Sequence, residues 1–229
     1  MIRRAGACLV ASALALTAGA GLAHQEHGAS QPPVVPGGQR FEFEAPAPGS
    51  YRLPPIKPAP DAALIDPSGR PARLHRILGD RVVLLSFVYL QCTDACPVAS
   101  AVLRQVRRTA ARDPRLRERL ALVTISFDPE RDTPEALAAH AQAWRAGARQ
   151  PPWHFYTAPS PAAAQAMVSA YGQPVRRVPE ADADIAHLLR VYLVDRQRRL
   201  RNIYGLGFLD PRLLLADVRT LLQEADGEP

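Results

Sequence analysis

Cys92 and Cys96 stand four residues apart in the segment Gln91-Cys92-Thr93-Asp94-Ala95-Cys96-Pro97. A thiol pair at this spacing can close a disulfide, exchange with a partner's disulfide, or hold a soft metal ion. A disulfide across so short a loop removes little entropy from the unfolded chain and would be a weak staple. Two thiolates form a soft ligand pair that suits Cu(I), whereas structural zinc would ask this chain for four ligands. A copper site then needs a third donor, and the chain has six histidines.

His187 is the best placed of them. It stands just before the apolar run Leu188 to Val194, outside the predicted helices, where a loop entering a central strand can bring it beside the pair. His75 lies in the short segment Arg73 to Leu78 and His140 lies mid-helix among alanines; both read as surface or packing residues. His154, next to Trp153, reads as packing at a strand edge. His24 and His27 fall where a new N-terminus would form, and an amine with two imidazoles can take Cu(II) weakly.

The elements that must position the pair are legible around it. Val82 to Tyr89 is a nearly continuous apolar, β-branched and aromatic run, the mark of a central strand covered on both faces. From Pro97, apolar Val98, Val102, Leu103 and Val106 recur at helical spacing, and Pro97 suits a first helical turn. The pair therefore sits where a strand ends and a helix begins, and the helix dipole there would stabilise thiolate. Leu120 to Phe127 predicts a second buried strand. Thr133 caps a helix opening at Pro134 and running to about Arg145. Trp153 to Thr157 reads as extended, Ser160 to Tyr171 as helix, Leu188 to Val194 and Leu200 to Tyr204 as a hairpin, and Pro211 to Glu224 as a closing helix. Asp128 to Glu135 is acidic, but reads as a strand end, turn and helix cap, and Phe87, Tyr89 and Phe127 read as core. This order describes an α/β sandwich around a mixed sheet.

The N-terminus bears on the compartment. Arg3-Arg4, an apolar small-residue run from Ala5 to Ala23, and the end Gly21-Leu22-Ala23 follow the grammar of an export signal, residues 1–23. An uncleaved membrane anchor is the competing reading of that run. Residues 24–60 are Pro-rich and read as a tether and extended arm, with a turn and short strand over Gly49 to Leu53; the folded domain spans 61–226. With the signal removed, Cys8 leaves and two cysteines remain, in a compartment where thiols tend to be oxidised. Losing Arg3 and Arg4 also lowers the formal charge from +6 to +4. Lys57 is the single lysine, so the basic balance is an arginine-rich composition and asks for no nucleic-acid partner.

Taken together, Val82 to Tyr89 before Cys92-x-x-x-Cys96-Pro97, then Ser126-Phe127-Asp128-Pro129-Glu130-Arg131-Asp132-Thr133-Pro134-Glu135, then His187 before Tyr192-Leu193-Val194-Asp195 closely resemble the SCO/SenC family of copper-handling proteins. The resemblance runs from about Asp61 to Glu224. It implies a thioredoxin-like fold, with one copper, Cu(I) or Cu(II), held by Cys92, Cys96 and His187. It also implies a periplasmic metallochaperone role toward the copper-site subunit of cytochrome c oxidase, with other periplasmic copper carriers or thiol oxidoreductases as further partners. The alternative within the same resemblance is a thiol/disulfide oxidoreductase using Cys92 and Cys96, with Cys92 the more exposed, or a redox or copper sensor. A thioredoxin-type reductase carries Pro before the strand facing its cysteines; here the approach is Asp184-Ile185-Ala186-His187, which favours metal. The chain has Thr93 where many members have Pro after the first Cys, and Ala186 where many have Asp before the His.

Overall fold

The computed structural model describes residues 43–93, 95–145, 147, 149–177 and 185–227. In chain order the strands and helices are β1 (Lys57–Pro58), β2 (Ala63–Ile65), β3 (Pro71–Arg73), α1 (Leu74–Leu78), β4 (Val82–Val88), α2 (Ala95–Ala110), α3 (Pro114–Arg119), β5 (Leu120–Ser126), α4 (Pro134–Arg145), β6 (Trp153–Thr157), α5 (Pro161–Ala170), β7 (Val175–Arg177), β8 (Ile185–His187), β9 (Val191–Val194), β10 (Arg199–Tyr204) and α6 (Pro211–Asp226). Eight strands form one mixed sheet in the order β1-β10-β9-β4-β5-β6-β2-β3. β4, β5 and β6 run parallel, and β9 lies antiparallel to β4. β7 and β8 form a separate two-stranded sheet.

The continuous apolar runs of β4 and β5 follow from burial on both faces. Val82 and Leu84 pack with Leu120, Leu122 and the apolar sides of α2, α4 and α6. Their alternates Val83, Leu85 and Phe87 pack with Val123 and Ile125 against Leu74, Leu78 and α5. All seven side chains of β4 are buried, each large aliphatic one contributing about 1.5–3 kcal/mol.

Several local expectations are met at their caps. Ser160 accepts from the amide of Ala163 at the start of α5, and Thr133 accepts from Ala136 before α4. Asp113 caps α3 through the amides of Arg115 and Leu116, with Pro114 in the first turn. This short helix was not expected, although Asp-Pro is its local signal.

Two expectations are corrected. The strand expected over Gly49 to Leu53 is a turn and irregular chain; the arm's strand is β1, pairing Lys57 with Leu200 and Pro58 with Arg199. It lies at the sheet edge, where a proline costs no ladder bond. The arm is also tied to α6 and β10: Tyr51 donates to Asp217, and Arg201 donates to the carbonyl of Leu53. The second correction concerns the strand expected from Leu188. The main-sheet strand starts at Val191, and Leu188 is 53% exposed, because residues 185–187 are committed to β8 and the chain must turn before it joins β4.

Candidate metal centre

The centre is assembled from a strand end, a helix start and a hairpin. β4 delivers Tyr89 beyond its carboxyl end, and the chain then turns, the amide of Cys92 donating to the Tyr89 carbonyl at 3.2 Å. α2 opens at Ala95, placing Cys96 in its first turn, and the amide of Cys96 points at Sγ of Cys92, 3.4 Å away. Facing them is the β7–β8 hairpin, in which His187 pairs with Val175 and ends β8. Nε2 of His187 lies 3.6 Å from Sγ of Cys96. Both sulfurs and the imidazole lie within 4.8 Å of one another.

Both thiols are buried, Cys92 at 8% and Cys96 at 5% exposure, and His187 is half-buried. Cys92 is thus hardly more exposed than Cys96. Nδ1 of His187 meets the carbonyl of Ile185 at 3.0 Å. A proton on Nδ1 satisfies that carbonyl and leaves the Nε2 lone pair directed at the sulfurs, the tautomer that a metal requires. The ring is held edge-on by Tyr89 and Phe127, each with its centroid 5.4 Å away.

The protonation of Cys96 differs from the sequence-based expectation. The hydrogen bond with Cys92, followed by burial, pushes the Cys96 thiol well above its ordinary value. At Cys96 this neighbour and the dry site outweigh the dipole of α2. A bound cation would take the place of the Cys96 proton, so the thiol that resists ionisation in the metal-free state would be a thiolate when loaded.

Among the described residues this is the one convergent cluster of histidine, cysteine and acidic ligands. The other described histidines stand apart from it. Nε2 of His75 meets the carbonyl of Ala59 at 2.7 Å, His140 packs against Trp144 and Phe155, and His154 lies beside Tyr156. His24, His27 and Asp184 lie outside the described residues.

Three contributors were not read from the sequence. Tyr89 and Phe127, assigned to the core, also form the walls around His187. Asp132, read as part of a turn, is 2% exposed and accepts from the amide of Leu90 at 3.0 Å and the hydroxyl of Ser126 at 2.5 Å. It fastens the chain two residues before Cys92 to the end of β5. Burial raises its carboxyl pKa against the lowering effect of these two donors. The recurrence of acids beside the strand end was the available signal, but only the fold shows which of them turns inward.

Residues 59–223 match the family model described as SCO1/SenC. The chain belongs to the SCO1/SenC family. A Stutzerimonas stutzeri protein described as a candidate copper-binding protein is 35% identical over 96 residues, 42% of this chain and 45% of that protein. The match thus spans less than half the length of that relative. Among solved structures, copper-bound ScoI of Bradyrhizobium japonicum is 25% identical, with a TM-score of 0.58 over 71% of this chain and 98% of its own. BsSco, described as having a disulfide switch and as belonging to the Sco family of cytochrome c oxidase assembly proteins, is 19% identical. Its TM-score is 0.59 over 74% of this chain and 96% of its own. The mixed sheet flanked by helices is the thioredoxin-like Sco fold. Cys92, Cys96 and His187 all lie within the matched residues.

Proposed function

We propose that this Sco-family protein is an exported copper metallochaperone that binds one copper through Cys92, Cys96 and His187. The observation that carries the proposal is the convergence of two sulfurs and one imidazole nitrogen within 4.8 Å at the end of a central strand. Three such donors suit a three-coordinate Cu(I), whose soft character favours thiolate. A half-exposed imidazole over two buried sulfurs suits transfer: incoming donors replace His187 first and the thiolates afterwards. The recipient we propose is the copper-site subunit of cytochrome c oxidase, reached in the periplasm after export through residues 1–23. The copper-bound state of the Bradyrhizobium relative and the oxidase-assembly role of the BsSco family support this reading.

The test is titration of the reduced domain with Cu(I) against a competing chelator. One-to-one binding should appear, and Cys92→Ser and His187→Ala should each weaken it. Normal binding by His187→Ala would overturn the ligand assignment.

A second reading, a thiol/disulfide oxidoreductase keeping the oxidase cysteines reduced, is favoured by the closeness of the two cysteines and by the disulfide switch of BsSco. One thiolate would attack a partner's disulfide, and the other would resolve the mixed disulfide. Disulfide reduction by a protein that binds no copper tightly would select this reading over the first.

A further inference from the structure

The amino ends of the central strands lie opposite the metal centre. β4 runs from Val82 toward Cys92, and β5 starts beside it with Leu120 opposite Val82. Val194, the last residue of β9, pairs with Val83, so the β9–β10 turn falls at the same end. Residues 80–81, 112–119 and 195–199 therefore meet there. Nε of Arg81 donates to the carbonyl of Glu118 and Nε of Arg196 to that of Asp80, each at 3.0 Å, tying the three segments together.

These segments hold eight arginines and four acids. The local excess of four equals the formal charge of +4 on the whole chain beyond residue 23, so the basic balance of the protein is gathered at one end. Arg115 is engaged by Asp226 and Arg199 by Asp195. Among the described residues no carboxylate forms an ion pair with the other six, of which Arg81, Arg112, Arg119 and Arg198 are exposed and Arg117 and Arg196 half-buried. Arg81 and Arg196 use only Nε within the protein, which leaves both terminal nitrogens of each guanidinium for an outside acceptor. A forked pair of donors matches two oxygens of a phosphate.

The same end offers no apolar anchor. Of the large exposed apolar side chains among the described residues, Leu188 adjoins His187 and Phe208 follows β10, both at the metal end, and Ile56 lies at the outer sheet edge beside Leu200. Protein interfaces are centred on aromatic and apolar anchors and are poor in charge at their core. Charge without such anchors fits a sheet of anionic headgroups, where attraction adds up over several arginines and needs no pocket.

We propose that this end of the molecule docks on an anionic phospholipid bilayer, the lipid phosphates accepting from its arginines. Docked in this way, the protein turns Cys92, Cys96 and His187 away from the membrane. The proposal does not depend on which ion the centre holds.

The test is co-sedimentation of the full chain with vesicles of phosphatidylglycerol and phosphatidylethanolamine, beside vesicles of phosphatidylcholine alone, which read any insertion of residues 1–23. Binding should be stronger to the anionic vesicles and weaken as salt rises from about 0.05 to about 0.3 M, where screening shortens to less than ~10 Å. Arg119→Gln with Arg198→Gln should lower the anionic component about ten- to thirtyfold. Arg70→Gln with Arg176→Gln removes the same charge from exposed positions elsewhere and should change it less than threefold. Equal losses in the two double variants would assign the binding to net charge and overturn the proposal, as would equal wild-type binding to both kinds of vesicle. Retention on soluble polyglutamate without binding to anionic vesicles would overturn the bilayer as the occupant.

Discussion

Sγ of Cys96 and Nε2 of His187 lie 3.6 Å apart across a separation of 91 residues. The approach is made by a hairpin of two three-residue strands outside the main sheet. Its seating depends on Ile185, which is 5% exposed and belongs to the same core cluster as Tyr89, Phe127 and both cysteines.

Truncating that anchor should uncouple the histidine from the sulfurs. Ile185→Ala is expected to cost about 2–4 kcal/mol of stability. It should also weaken Cu(I) binding in protein that is still fully folded, because the hairpin is no longer pinned. Urea unfolding read beside a competitive Cu(I) titration checks both, and undiminished affinity in the folded variant would show that the hairpin is held elsewhere.

Asp132 should matter to the cysteine side in the same way. Asp132→Ala leaves the Leu90 amide and the Ser126 hydroxyl without their shared acceptor, at a cost of about 1–3 kcal/mol. Hydrogen exchange at the Leu90 amide should accelerate well before global unfolding. Protection equal to wild type would mean that the loop before Cys92 is fastened by other contacts.

The arm is fastened by a buried cation. Arg201, 9% exposed, donates to Asp195, to Glu224 and to the carbonyl of Leu53. Arg201→Ala strands the 4%-exposed Asp195 without this partner and is expected to cost about 3–5 kcal/mol. Limited proteolysis should then cut within residues 43–56 faster than in wild type, and unaltered cleavage would place the arm's main attachment at Tyr51 and Asp217.

Acid should destabilise the fold through two histidines remote from the centre. Burial lowers the pKa of His140 and of His154, with Arg145 and Arg81 adding to the effect at His154. The unfolded chain, titrating near the ordinary value of about 6.5, then binds more protons than the native one. Stability is therefore fully present above about pH 6.5 and declines as the pH falls through the lowered native values. Urea midpoints of the metal-free protein between pH 7 and pH 5 should show the decline, and His140→Gln with His154→Gln should flatten it. An equally steep slope in the double variant would assign the effect to other groups.

The sequence alone determined what depends on neighbours along the chain. Val82–Val88 and Leu120–Ser126 announce themselves as central strands because both faces are buried, so every position except the small polar Ser86, Thr124 and Ser126 is apolar. Helix starts are written in Ser160-Pro161 and Thr133-Pro134, where a side-chain acceptor and a preset backbone angle act within one turn. The cysteine spacing and the junction it occupies are equally local. The strand order, the hairpin that carries His187 and the inward turn of Asp132 were decided by tertiary structure. Three-residue strands are too short to show a period, and their pairing is selected by packing against residues far away in sequence. Tyr89 shows the division within a single side chain. Its apolar ring placed it in the core from sequence, while only the fold showed that the same ring walls the imidazole of His187 and that its hydroxyl meets the amide of Ile185.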